Sequence, residues 1–205
     1  MALTSLEIKT RVPFAQEDHF GEVGPYEQID GTAHFSVVPN HPGNALITDL
    51  ELAPRDSAGR VGFSSDFRIL RPVSPERGNH RLLYDAVNRG NPQALRFFND
   101  VPPGAVPTAP PEPGNGFLMR QGFTVAWCGW QHDIPEVPGL IGLHTPTAVN
   151  PVSPISGTIA FRFQLGATTQ VQSLADRMHR PYPSSGLDDP DAVLTVQDNP
   201  DMPPQ

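Results

Sequence analysis

Leu82-Leu-Tyr-Asp-Ala-Val-Asn-Arg-Gly-Asn91 decides how the rest of the chain is read. It starts as a short apolar strand and closes in a turn of Asn, Arg and Gly. Turns of that composition leave backbone N–H groups pointing outward, and a strand ending in free donors can stabilise an oxyanion. Downstream, Gly122-Phe-Thr-Val-Ala-Trp-Cys-Gly-Trp-Gln-His-Asp133 holds a nearly continuous apolar run, Phe123 to Trp130, the pattern of a strand covered on both faces. Between the two lies a helix-compatible stretch from Asn91 to Asp100 and a short helical segment from Gly116 to Gly122. Strand, helix, strand is a βαβ-like crossover and makes the two strands parallel.

Upstream, residues 5–73 read as an antiparallel meander. Strands are expected at Ser5–Val12 and Tyr26–Val38, with a turn or bulge at Asp30-Gly31. Two more follow at Leu46–Leu52 and Val61–Leu70, joined by a hairpin loop over Pro54–Arg60. Downstream, Gly157–Leu165 alternates cleanly and Ala192–Val196 is a last short strand. The fold class is therefore α/β and β-rich. Residues 1–75 form an antiparallel layer, 76–135 begin an α/β core, and 136–205 are a loop-rich β extension with an acidic tail, all in one incomplete domain.

Composition limits the functions open to this sheet. The 25 prolines and 18 glycines of the 205 residues lie between apolar runs, as in a protein of short strands and many turns. The 22 acidic and 14 basic residues give a net charge of −8, and no Lys or Arg follows Arg180. There is no basic stripe for nucleic acid, and an anionic membrane surface would repel the chain. Cys128 is the single cysteine, which excludes an intrachain disulfide. The first residues lack the apolar core of a signal peptide, and no apolar run is long enough to span a membrane, so a cytoplasmic location is expected.

Candidate chemistry concentrates at two places. Asn88, Arg89, Gly90 and Asn91 form the oxyanion-hole loop, since ligands of open α/β sheets sit outside the carboxyl ends of the strands. The plainer reading is a strand-to-helix turn with Asn91 as helix N-cap. Trp130, His132 and Asp133 are substrate-pocket candidates at the end of the second strand, although adjacent residues on an extended segment point apart. Cys128 lies in an apolar strand, where a thiol is usually buried and inert. The histidines show no metal-ligand spacing, so neither a metal nor a cofactor is expected. No serine stands in a Gly-x-Ser-x-Gly elbow, where a strained turn would expose the hydroxyl. Arg180, in the loop His179-Arg-Pro-Tyr-Pro183, is expected to pair with an aspartate.

The blocks Tyr26-Glu-x-Ile-Asp-Gly31, Leu52-Ala-Pro-Arg55, Asp85-Ala-Val-Asn-Arg-Gly-Asn91, Gly122 to Asp133 and His179 to Pro183 resemble the bacterial alpha/beta-hydrolase domain-containing proteins. The resemblance runs almost end to end and implies an esterase-like serine hydrolase. It implies that Asn88 to Asn91 occupy the oxyanion-hole loop. It also implies that the serine elbow, with its acid and histidine, lies beyond this sequence. On that reading the chain is an N-terminal portion, inactive alone, which meets a small-molecule substrate once a C-terminal half completes it. The strand ending at Trp130 would then expose an unpaired sheet edge open to self-association. The rival expectation is a non-catalytic β-rich binding or assembly module.

Overall fold

The computed structural model describes residues 2–102, 110–163, 166–175, 180–186 and 188–196. Its frame is a mixed sheet of six strands with few helices. Strands β1 (Ala2–Phe14), β2 (Tyr26–Val37) and β3 (Val61–Pro72) form the antiparallel meander. Strand β4 (Leu82–Tyr84) leads into helix α1 (Ala94–Phe98), helix α2 (Phe117–Arg120) and strand β5 (Thr124–Cys128). Strand β6 (Leu143–His144) pairs with β3 at Ser64 and Ser65.

The expected parallel pair is present, with Leu82, Leu83 and Tyr84 opposite Thr124, Val125 and Ala126. Strand β5 is not an edge, however. Its other side pairs antiparallel with β3, from Phe67–Cys128 to Leu70–Val125, because β3 is long enough to serve β2, β5 and β6 at once. The strand order is β1-β2-β3-β5-β4, so β1 and β4 end this path, and the two-residue β6 sits off it on β3. Edge β1 carries register shifts at Thr4 and Lys9, and Lys9 is the only lysine of the chain. Bulges and a charged residue are devices that discourage edge-to-edge pairing.

Four other expectations change. Leu46–Leu52 is not a strand. Short 3₁₀ turns at Pro42–Asn44 and Leu50–Leu52 occupy this region, and Leu46 is 99% exposed. Its apolar residues had no sheet face to bury against, so Asp56 closes a polar turn that feeds β3 alone, accepting from the N–H groups of Ala58 and Arg60. The predicted strands at 157–165 and 192–196 are absent among their described residues, where no neighbouring strand offers a ladder. The strand expected to reach Trp130 ends at Cys128.

Alternation assigns the two sheet faces. On one face Phe14, Tyr26, Leu70, Val125 and Trp127 pack under Leu95 of α1, Leu118 and Met119 of α2, and Phe20. The Tyr26 hydroxyl donates to the carbonyls of Met119 (3.1 Å) and Phe123 (3.0 Å), fastening the end of α2 to the start of β5. Burial pushes this phenol far above its ordinary pKa. The opposite face carries Ile29, Ala33 and Phe67, with Phe35, Ile69 and Cys128 partly buried around them. Gly31 is required there: a Cβ would lie 2.1 Å from the Glu7 carbonyl oxygen and 2.7 Å from the Phe67 ring. The described residues of 2–155, joined by Arg180, form one compact unit; those of 156–175 and 181–196 form a second, in which Phe161 stacks with Phe163.

Across the first three strands, Glu27 on β2 accepts from Arg11 on β1 (2.5 and 2.8 Å) and from Arg71 on β3 (2.7 Å). Burial raises its pKa, but the two guanidinium groups together outweigh burial and hold the carboxyl below its ordinary value of 4.5. A depressed carboxyl contributes stability that is full above the unfolded-state pKa and lost as pH falls through the folded one. Wild-type stability should therefore drop as pH is lowered through and below 4.5. Glu27→Gln should be less stable at neutral pH and show a shallower acid limb in denaturant titrations across that range; an unchanged slope would remove this ion triad from the acid response.

Candidate functional site

The loop Asn88–Asn91 is a closed two-residue turn. Asn88 and Asn91 exchange backbone hydrogen bonds, both 3.0 Å, and the central residues Arg89 and Gly90 have φ of 54° and 79°. Positive φ at both central positions is the signature of a type I′ turn. Glycine is needed at 90 for space as well, since a Cβ would sit 2.8 Å from Ile134 Cγ2. The donors are largely engaged. Arg89 N–H donates to Gln131 Oε1 at 3.0 Å, and the N–H groups of Asn88 and Asn91 close the turn. Gly90 N–H has no acceptor among the described residues, while its carbonyl accepts from Ile141 N–H at 2.9 Å.

Asn91 does not cap the helix. Asp85 does so from the end of β4: its Oδ2 accepts from the N–H groups of Gln93 and Ala94, both at 2.7 Å. The same oxygen accepts from Trp127 Nε1 at 2.5 Å. One carboxylate thus ties β4, β5 and the first turn of α1 together, and the residues between, 86–92, are held as a short excursion at the carboxyl end of β4. Sequence reading passed over Asp85. Its signal was an acidic residue closing an apolar strand, a few residues before a helix that lacked a convincing cap of its own.

The three pocket candidates separate. Trp130 Nε1 donates to the Val87 carbonyl (2.7 Å), bracing the start of the turn, and its ring is 58% exposed. Asp133 Oδ2 lies 3.4 Å from Arg89 Nη1, and its carbonyl accepts from Arg180 N–H at 3.1 Å. Arg180 pairs with Glu136 (2.6 Å) rather than with an aspartate. His179 lies outside the described residues.

His132 alone of the three lines a cleft of about 780 Å³. Its polar lining includes Asp66, His132, Glu136, His144 and Arg180, and its apolar walls include Ile134, Val137, Leu140 and Leu143. Asp66 Oδ2 accepts from Gly142 N–H (3.2 Å) and lies 3.0 Å from His144 Nε2. The cleft and the turn share a wall, because Ile134 and Leu140 are also the neighbours closest to Gly90. The sequence offered no cue to Asp66 and His144, which are brought together only by the β3–β6 pairing.

Cys128 is engaged from β3. Its Sγ lies 3.1 Å from Ser65 Oγ, and Ser65 is buried and donates to the Gly129 carbonyl at 2.7 Å. Among the described residues no group of three or more His, Cys, Asp or Glu side chains could hold a metal ion, and no helix is long and apolar enough to cross a membrane. Comparisons with protein-family models, with curated proteins and with solved structures find no match to this chain.

Asp85→Ala should cost about 3 kcal/mol in denaturant unfolding, since it strips a helix cap and leaves the Trp127 indole N–H without its acceptor. Asp85→Asn, which keeps an acceptor oxygen, should recover part of that loss. Tryptophan emission of the alanine variant should shift as Trp127 loosens. A loss under about 0.5 kcal/mol, the range of an ordinary surface change, would deny Asp85 this role.

Proposed function

We propose that this chain is the N-terminal portion of an alpha/beta hydrolase-like, esterase-type serine hydrolase. On this reading it supplies one oxyanion-hole donor, and a nucleophile elbow comes from outside these 205 residues. The observation that carries the reading is Gly90. It stands after the carboxyl end of β4, on the connection from a parallel strand to a helix, with its N–H left without an acceptor while the other three amides of the turn are engaged. An alpha/beta hydrolase draws one oxyanion N–H from a strand-to-helix loop of this kind and the other from the residue after the nucleophile, so a single free donor is what this loop must provide. Gly-x-Ser-x-Gly does not occur in the sequence, which fits a chain that contributes the hole and not the attack.

The purified chain should give no turnover of p-nitrophenyl butyrate above buffer, and the coding sequence past codon 205 should contain a Gly-x-Ser-x-Gly segment. Turnover that persists after Ser64, Ser65 and Cys128 are all replaced by alanine would overturn the proposal, as would a downstream sequence without that segment in any frame. The second reading, a non-catalytic β-rich binding or assembly module, is favoured by β1, an edge strand that leaves Leu6 and Ile8 about 60% exposed. It predicts a concentration-dependent dimer through this apolar face in size-exclusion chromatography, which Leu6→Asp together with Ile8→Asp abolishes.

A further inference from the structure

The carboxylates on the sheet differ in how fully they are satisfied. Glu27 uses both oxygens on Arg11 and Arg71. Asp30 gives Oδ1 to Arg68 and Oδ2 to Gln28. Asp66 does not follow this pattern. Gly142 N–H and His144 Nε2 both engage its Oδ2, and Oδ1 has no partner among the described residues. Its side chain is 30% exposed and faces the cleft. A carboxylate fixed through one oxygen presents the other in a set direction.

Asp66 thus presents an uncommitted carboxylate oxygen to a cleft of about 780 Å³, the size of a small-molecule site.

We propose that this cleft binds a small amphipathic primary amine, its ammonium seated on Asp66 Oδ1 and its apolar body against Ile134, Val137, Leu140 and Leu143. An ammonium offers three donors and no acceptor, which matches a carboxylate oxygen without a donor of its own. The remaining charges set the sign of the ligand. Arg180 is paired with Glu136, so Asp66 is the carboxylate left without a cationic side chain of Lys or Arg. A ligand carboxylate or phosphate would meet an Asp66 carboxylate that Gly142 N–H and His144 engage through Oδ2 alone. This site stands apart from the Gly90 donor and involves no ester chemistry, so it can fail or succeed without the hydrolase reading.

Hexylamine, hexanol and hexanoate, titrated into the intact chain by calorimetry and by chemical-shift perturbation, provide the test. Saturable binding should follow the order hexylamine, then hexanol, with hexanoate weakest, and shifts should centre on Asp66, His144 and Val137. Asp66→Asn should weaken hexylamine at least tenfold and leave hexanol within twofold. Val137→Trp, on the cleft wall, should block both, and it keeps the test decisive should the β3 variant fail to fold. Equal binding of hexylamine and hexanoate, tighter binding of hexanol, or no saturable binding of hexylamine by the wild-type chain would each overturn the proposal.

Discussion

A single carboxylate oxygen, Asp85 Oδ2, organises the β4–α1–β5 crossover. It takes an indole N–H from β5 and two N–H groups from the start of α1, at 2.5, 2.7 and 2.7 Å. Charge-assisted bonds of this kind are about twice as strong as neutral ones, and here they converge from both arms of a crossover. β4 is only three residues long and pairs on one side, so its own ladder is a weak anchor. Without Asp85, neither the strand nor the five-residue α1 has local reason to hold its place. The turn at Asn88–Asn91 is positioned because both of its flanks end on this group.

Strand β3 plays the complementary role for the sheet. Over Val61–Pro72 it bonds along its whole length to β2, and then shares its other edge between β6 near Ser64 and β5 near Phe67. Alternation sends its side chains to the two faces of the sheet. Leu70 points into the core beneath the helices, and Phe67 covers Gly31 on the opposite face. Asp66 lies where β3 passes from one partner to the other, with its N–H bonded to Gly142 and its carbonyl to Gly129. That handover opens the space the cleft occupies.

The parts of this fold legible in the sequence were those with local periodicity. The alternation around Leu6, Ile29 and Phe67 announced the meander, and the apolar run at Val125–Trp127 announced the crossover strand that returns parallel to β4. Alternation misled at Leu46–Leu52 and over the described part of Gly157–Leu165, since a pattern becomes a strand only when a neighbour supplies a ladder. Edge assignment failed for the same reason. Whether β5 is flanked once or twice depends on the length of β3, which no window around Trp127 contains. The candidate site was half legible. Asn-Arg-Gly-Asn is a turn on sight, but which of its amides remains free is decided by Gln131, and Asp66 meets His144 only through a pairing of strands remote in sequence.

The turn and the cleft are coupled through the segment after β5. Gly90 accepts from Ile141 and presses on Ile134 and Leu140, the same side chains that wall the cleft, while Arg180 holds the Asp133 carbonyl from the far side. Residues 134–142 are thus clamped between a type I′ turn and a distant arginine. A loop without a ladder of its own is kept in one shape by contacts at both ends, the condition for a preformed pocket. Rigidity at Gly90 therefore has two consequences that share one cause: it leaves a single amide unsatisfied beside β4, and it fixes the wall against which anything entering the cleft must pack.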